Sequence, residues 1–152
     1  MKKILCISDS HGNIAGIQNL LDKMNECDYI FHLGDHYYDM NLFLKEYDTK
    51  IYTVFGNCDG GGEDYQIVID GVKILLTHGD KYHVKSSLLR LSIRAQELGV
   101  NLVLYGHTHN AKIDEYNGIT FVNPGALSRF GGKSYCIIEI ENGKFSTRIE
   151  NL

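Results

Sequence analysis

Asp9-x-His11 and His107-x-His109 each set two metal-binding side-chain types one residue apart. Side chains alternate along an extended segment, so both members of such a pair project to one side and can reach one ion or two neighbouring ions. Gly34-Asp35, Gly56-Asn57-Cys58-Asp59 and Thr77-His78-Gly79 add further groups of the same kind. Carboxylates and imidazoles, with no thiolate at the liganding positions, suit Mn, Fe, Ni, Co or Zn in a reactive site more than a purely structural zinc. Alone, each fragment says little: Gly-Asp is commonly a turn, and a single buried His is commonly a hydrogen-bonded core residue. Taken together and in order, they predict a metal site.

What must position them is a set of strands. Apolar runs at 3–8 and 101–105 read as buried strands, those at 29–33 and 51–55 as further strands and that at 72–77 as the second strand of a hairpin, and each runs out just before one of the clusters. Ligands of open α/β sheets bind at the carboxyl ends of parallel strands, so clusters from distant sequence are expected on one rim. Asn13 can cap a helix with apolar residues at Ile14, Ile17, Leu21 and Met24, and a shorter helix is expected around Met40, Phe43, Leu44 and Tyr47. Val84, Leu88, Leu91, Ala95 and Leu98 predict one long amphipathic helix. Asp70-Gly71, Asn117-Gly118 and Asn142-Gly143 predict tight turns between strands, the last strands being expected at 111–116, 119–122, 135–141 and 145–149. Alternating strands and helices followed by a β-rich end predict an α/β sandwich of two sheets with helices outside.

A chain of 152 residues, 43% hydrophobic, suits a single domain over 1–152. The formal net charge of −4 argues against duplex nucleic acid as a partner, which would call for a basic face. The apolar stretch at 4–7 is too short for a signal-peptide core, and no run is long enough to span a bilayer. Cys6, Cys27, Cys58 and Cys136 are scattered with no CxxC pair, which fits reduced thiols. A cytoplasmic protein with no membrane partner is expected, and a β-rich edge near the C-terminus could pair with a second copy in a homo-oligomer.

The blocks Asp9-x-His11, Gly34-Asp35, Gly56-Asn57-x-Asp59, His78-Gly79 and Gly106-His107-x-His109 resemble the signature of the calcineurin-like metallophosphoesterases. Asn123-Pro124-Gly125 resembles a further loop of the small YfcE-like phosphodiesterase branch. The resemblance implies a four-layer α/β/β/α sandwich, two mixed β-sheets flanked by helices. It implies two divalent metal ions per chain, manganese foremost, with Ni, Fe, Co or Zn as alternatives. Asp9, His11 and His109 would bind one ion and Asn57, His78 and His107 the other. Asp35 would bridge them, and Asp35, Asn57 and His107 would form the catalytic centre. A hydroxide bridging ions about 3.5–4 Å apart would attack a small phosphoester substrate. Asp9, Asp35 and that hydroxide offset three of the ions' four positive charges, leaving a site that attracts an anionic phosphodiester.

Departures from the family pattern refine these expectations. Cys58 stands where many relatives carry a histidine that donates a proton to the leaving group, and His36 and His83 are candidates to replace it. Asp80 and Ala126 replace a histidine and a serine that are common in close relatives. Asn57, Cys58, Asn123 and Arg129 are the expected substrate contacts, Arg129 as a bidentate phosphate donor. Asp59 is expected to orient a neighbouring ligand, while Tyr37, Tyr38 and Tyr82 could line a cleft. Two rival readings stand beside the phosphodiesterase: a non-catalytic scaffold like the retromer subunit that shares this fold, and a phosphomonoesterase. The complete donor set favours an enzyme, and the absence of the proton-donating histidine and of a cap favours diesters.

Overall fold

The computed structural model describes Met1–Leu152. The alternating strand and helix signals of the first half give β1 (Lys2–Ile7), α1 (Ile14–Gln18), α2 (Leu21–Glu26), β2 (Tyr29–His32), α3 (Leu44–Tyr47) and β3 (Ile51–Thr53). A 3-10 turn at Tyr37–Phe43 precedes α3. The second half gives β4 (Tyr65–Ile69), β5 (Val72–Leu76), α4 (Leu89–Leu98), β6 (Leu102–Leu104), β7 (Lys112–Tyr116), β8 (Ile119–Asn123), β9 (Ser134–Glu141) and β10 (Lys144–Asn151). They form two five-stranded sheets, ordered β10-β9-β1-β2-β3 and β4-β5-β6-β8-β7. Three adjacent strands are parallel in each sheet, β1-β2-β3 in one and β5-β6-β8 in the other, with antiparallel strands outside them.

The period-two alternation of the strands builds the layers. Ile4 and Cys6 of β1, Ile74 and Leu76 of β5, and Leu102 and Leu104 of β6 share the core between the sheets. The opposite face of β1, Leu5 and Ile7, packs on Ile17, Leu20 and Met24 of the helical layer. Leu75 and Val103 pack on Leu91 and Ala95 of α4. Three cores between successive layers give the expected α/β/β/α sandwich. The four cysteines are free, and no helix is long and apolar enough to cross a membrane.

Two helical expectations need correction. The helix capped by Asn13 breaks at Asn19–Leu20 into α1 and α2, with the weak helix formers Gly16 and Asn19 in its path. Asn13 does cap it, its Oδ1 accepting the Gly16 N–H at 3.1 Å. The long helix expected from Val84 begins only at Leu89. His83 is left-handed (φ 54°), which ends the preceding 3-10 turn, and the Ser87 hydroxyl accepts the Leu89 N–H at 3.3 Å. Val84 and Leu88 still pack in the α4 layer, so burial made them look helical without a helix beneath them.

Candidate metal centre

The parallel strands deliver their trailing loops to one rim: Asp9 and His11 after β1, Asp35 after β2, Asn57 after β3, His78 after β5, and His107 and His109 after β6. Donor atoms of Asp9, His11, Asp35 and His109 all lie within 4.8 Å of one another, and those of Asp35, His78 and His107 do the same. Asp35 belongs to both groups. Its Oδ2 is 3.7 Å from His11 Nε2 and 3.4 Å from His78 Nε2. Asp9 Oδ1 is 3.1 Å from His109 Nε2 and 3.8 Å from His11 Nε2.

Each carboxylate is anchored through one oxygen and presents the other. Asp9 Oδ2 accepts the His107 N–H at 3.1 Å and the Ser8 hydroxyl, while its buried Oδ1 has no hydrogen-bond partner. Asp35 Oδ1 accepts the Cys58 N–H at 2.9 Å. His78 Nδ1 donates to the Leu33 carbonyl at 2.8 Å, which turns Nε2 toward the donors. That Nε2 faces His107 Nδ1 at 3.2 Å, a pair of ring nitrogens that only a shared proton or a cation satisfies. His11 Nε2 is likewise buried without a partner. Unpartnered buried donor atoms converging from two directions are what a divalent ion requires, so the residues present fit one.

Electrostatics keeps both carboxylates ionised and favours neutral His107, while it draws His78 and His109 toward the protonated form. Burial alone would raise the Asp35 carboxyl, but hydrogen bonds from His78 and Cys58 and the His78 charge hold it well below the usual carboxylate range. Burial likewise opposes ionisation of Asp9, and the nearby His109 imidazole, with His78 and the Ser8 hydroxyl, wins and holds it low. Burial, the His78 imidazole and the Lys85 ammonium hold His107 below its ordinary value. The Asp9 carboxylate 3.1 Å away raises His109, with burial and Lys85 working against it.

The backbone carries strain to reach this arrangement. Asp9 (φ 53°), His11 (43°), Asp35 (61°), His107 (70°) and His109 (61°) are all left-handed. Side-chain-bearing residues adopt this region at a cost and hold it only where the surroundings insist. Close approaches do the insisting. A Cβ on Gly106 would collide with the Ser8 hydroxyl and lie 2.6 Å from Asp9 Oδ2. One on Gly34 would sit 2.5 Å from the Gly56 nitrogen and 2.9 Å from His78 Nδ1.

A buried polar relay below the rim was not apparent from sequence. Gly34 N–H donates to His32 Nδ1 at 3.1 Å, so Nε2 carries the ring proton and donates to Ser10 Oγ at 2.8 Å. The Ser10 hydroxyl donates to Asp39 Oδ2 at 2.7 Å, and Gly12 N–H donates to the same oxygen at 2.8 Å. This chain locks the β1 loop to the β2 loop. Its one signal was a histidine closing an otherwise apolar strand, Tyr29–His32. Asp59, expected to orient a ligand, accepts the N–H groups of Asp35, His36 and Gly56 at 2.8, 2.8 and 2.9 Å.

The other expected positions divide. Asn57 and Cys58 lie exposed on the turn after β3. Burial and the Asp35 charge push the Cys58 thiol up. Asn123, expected to touch substrate, is instead fully buried with its amide committed: Nδ2 donates to the Gly106 carbonyl at 3.0 Å and Thr108 Oγ1 at 2.9 Å, and Oδ1 accepts the Gly125 N–H at 2.9 Å. It positions the His-x-His loop. Arg129 is exposed and makes no ion pair. The His36 ring lies 5.1 Å from that of His11, with the Tyr38 hydroxyl 3.0 Å from its Nδ1. Tyr82 is held away by a 2.5 Å hydrogen bond to Asp64.

Comparison with known proteins places this architecture. The profile of the calcineurin-like phosphoesterase superfamily domain matches residues 1–143. The chain belongs to this superfamily. It is 33% identical over 153 residues to the probable metallophosphoesterase YsnB of Bacillus subtilis, covering 95% of this chain and 88% of YsnB. It is 28% identical over 146 residues to the phosphodiesterase MJ0936 of Methanocaldococcus jannaschii, covering 81% of this chain and 82% of the relative. Among solved structures, wild-type Vps29 of Entamoeba histolytica complexed with zinc superposes with a TM-score of 0.73 at 25% identity, covering 99% of this calcineurin-like chain and 98% of Vps29.

Proposed function

We propose that this calcineurin-like protein is a metal-dependent phosphodiesterase holding two divalent ions per chain. The observation that carries the reading is the membership of Asp35 in both donor groups, with orphaned atoms of Asp9 and His11 facing the same space. Asp9, His11 and His109 serve one ion, His78, His107 and the Asn57 carboxamide the other, and Asp35 both. Manganese is the leading candidate, with Ni, Fe, Co or Zn possible on the same donors. Bound there, such ions supply an activated water and positive charge for the phosphoryl oxygens. The chain's own share is positional. Hydrogen bonds to the far oxygens of Asp9 and Asp35 aim the near ones, the Leu33 carbonyl aims His78, and Asn123 braces the loop of His107 and His109. Cys58 stays a protonated thiol at neutral pH, and of the two histidines expected as proton sources, His36 adjoins the donors.

The similarity to MJ0936, named a phosphodiesterase, supports diesters over monoesters. The scaffold reading rests on the likeness to Vps29, and the presence of every expected donor weighs against it. Metal-loaded protein should hydrolyse bis(p-nitrophenyl) phosphate faster than p-nitrophenyl phosphate. Asp35→Asn should lower kcat/KM on the order of 10³-fold. Equal turnover in the variant would remove the proposed site, and turnover of the monoester alone would remove the diester preference. Metal binding without turnover of either ester would favour the scaffold.

A further inference from the structure

A hollow of about 490 Å³ opens beside the His-x-His loop, with Thr108 and Asn110 in its wall. Its remaining wall comes from the segment 84–88 that leads into α4, from Tyr105, and from Lys112 and Tyr116 of β7. The size is that of a small-molecule site. Its chemistry is selective. On a chain of net charge −4 it contains two lysines and no acidic residue in its lining. Lys112 is 3.5 Å from Asp114, whereas Lys85 forms no ion pair or hydrogen bond within the chain. Thr108 Oγ1 accepts from Asn123 Nδ2 at 2.9 Å and from the Asn110 N–H at 3.1 Å, which leaves its own hydroxyl hydrogen free to donate. A cation and a free hydroxyl donor beside an acid-free wall are what an anion needs. The hollow adjoins the metal-site donors, since Thr108, in its wall, stands between His107 and His109.

We infer that this hollow is a subsite for a second, non-scissile phosphate of the substrate, held by Lys85 and the Thr108 hydroxyl. The inference rests on the phosphodiesterase reading and narrows it: the preferred substrates are small diesters that carry a further phosphate group, such as a terminally phosphorylated dinucleotide. Tyr116, in the lining and 45% exposed, offers a flat face for the organic part of such a molecule.

The test compares metal-loaded protein on a dithymidine phosphodiester with and without a terminal phosphate. Wild type should favour the phosphorylated form in kcat/KM by about tenfold or more, the effect of one charge-assisted contact. Lys85→Ala should erase most of that ratio through KM, and Lys85→Arg should restore it. No preference in wild type, or a Lys85→Ala loss equal on both substrates, would overturn the subsite. If no diester is hydrolysed with any metal, the phosphodiesterase reading fails by itself, and binding then judges the hollow. Thymidine 3′,5′-bisphosphate titrated into isotopically labelled protein should shift the amide signals of Lys85, Thr108 and Asn110 saturably in wild type and not in Lys85→Ala. Unmoved signals would sink the proposal.

Discussion

The two ends of the strands both use left-handed backbone, and they use it differently. Away from the metal site, Asp70-Gly71, Asn117-Gly118 and Asn142-Gly143 put an Asp or Asn at φ 43–52° ahead of a glycine at 76–84°. These are two-residue hairpin turns that the local sequence prefers. At the rim, His11, at φ 43° ahead of Gly12 at 82°, sits in a local turn closed by the Asn13 N–H on the Ser10 carbonyl at 2.9 Å, whereas Asp9, Asp35, His107 and His109 adopt the same region with no such turn sequence to favour them. There the conformation is imposed by bonds to remote parts of the chain: Asp59 on the Asp35 N–H, Asp9 on the His107 N–H, and the Gly34 carbonyl on the Asp9 N–H at 3.0 Å. The turn residues settle into a local minimum, whereas the rim is held away from one so that donor atoms can converge.

That contrast can be broken first at His107. His107→Gly removes a metal donor and relieves a left-handed side-chain-bearing residue in one step. Activity should fall on the order of 10³-fold. The unfolding free energy of metal-free protein should stay level or rise by up to about 1 kcal/mol, because relief of strain offsets the added chain entropy of glycine. A clear loss of metal-free stability would show that the rim is not strained.

The relay beneath the rim offers a pH test. Burial lowers the His32 imidazole from 6.5 to about 4, with the charges of Asp9, Asp39 and Asp59 opposing. Between those pH values the unfolded chain binds a proton that the folded chain refuses. Stability contributed by neutral His32 is therefore complete above pH 6.5 and is lost as pH falls toward 4. The loss is about 3 kcal/mol for this buried group. Denaturant melts across that range should show it in wild type, and His32→Asn should flatten the slope by that amount. Parallel slopes in the two proteins would remove His32 as the anchor.

Smaller effects separate imposed from local geometry. Gly106→Ala forces a methyl into the Ser8 hydroxyl and Asp9 carboxylate, and should cost about 1–3 kcal/mol in chemical denaturation. At the hairpins, Asn142→Gly should change stability by no more than about 0.5 kcal/mol, since the turn keeps its conformation and the residue-142 N–H keeps its 2.8 Å bond to Asp70. A larger loss at the hairpin than at Gly106 would invert the comparison.

Residue type and spacing made much of this legible. Asx-Gly pairs marked β4-β5, β7-β8 and β9-β10, because a two-residue turn depends on its own side chains. Apolar runs marked β1, β2, β5 and β6, because strands covered on both faces are mostly apolar, while β3 is only half-buried. The donors stood at strand ends, where a rim is the only place to meet. Other features hid because their causes lie far away in the chain. Val84 and Leu88 looked helical since they are buried, and burial does not distinguish a helix from a packed turn. Asn123 looked like a substrate contact, yet its amide is consumed by Gly106, Thr108 and Gly125.

The amino-acid sequence by itself determined which groups can bind metal, the order in which strands deliver them, and where the hairpins turn, since each follows from neighbours a few residues apart. The family resemblance anticipated Asp35 between two ions, but only the tertiary structure decided that His32 and Asp39 tie two loops together through Ser10 and that Lys85 and Thr108 share one hollow. Those relations join residues tens of positions apart, and they exist only once the two sheets have packed and their loops are held against each other at the rim.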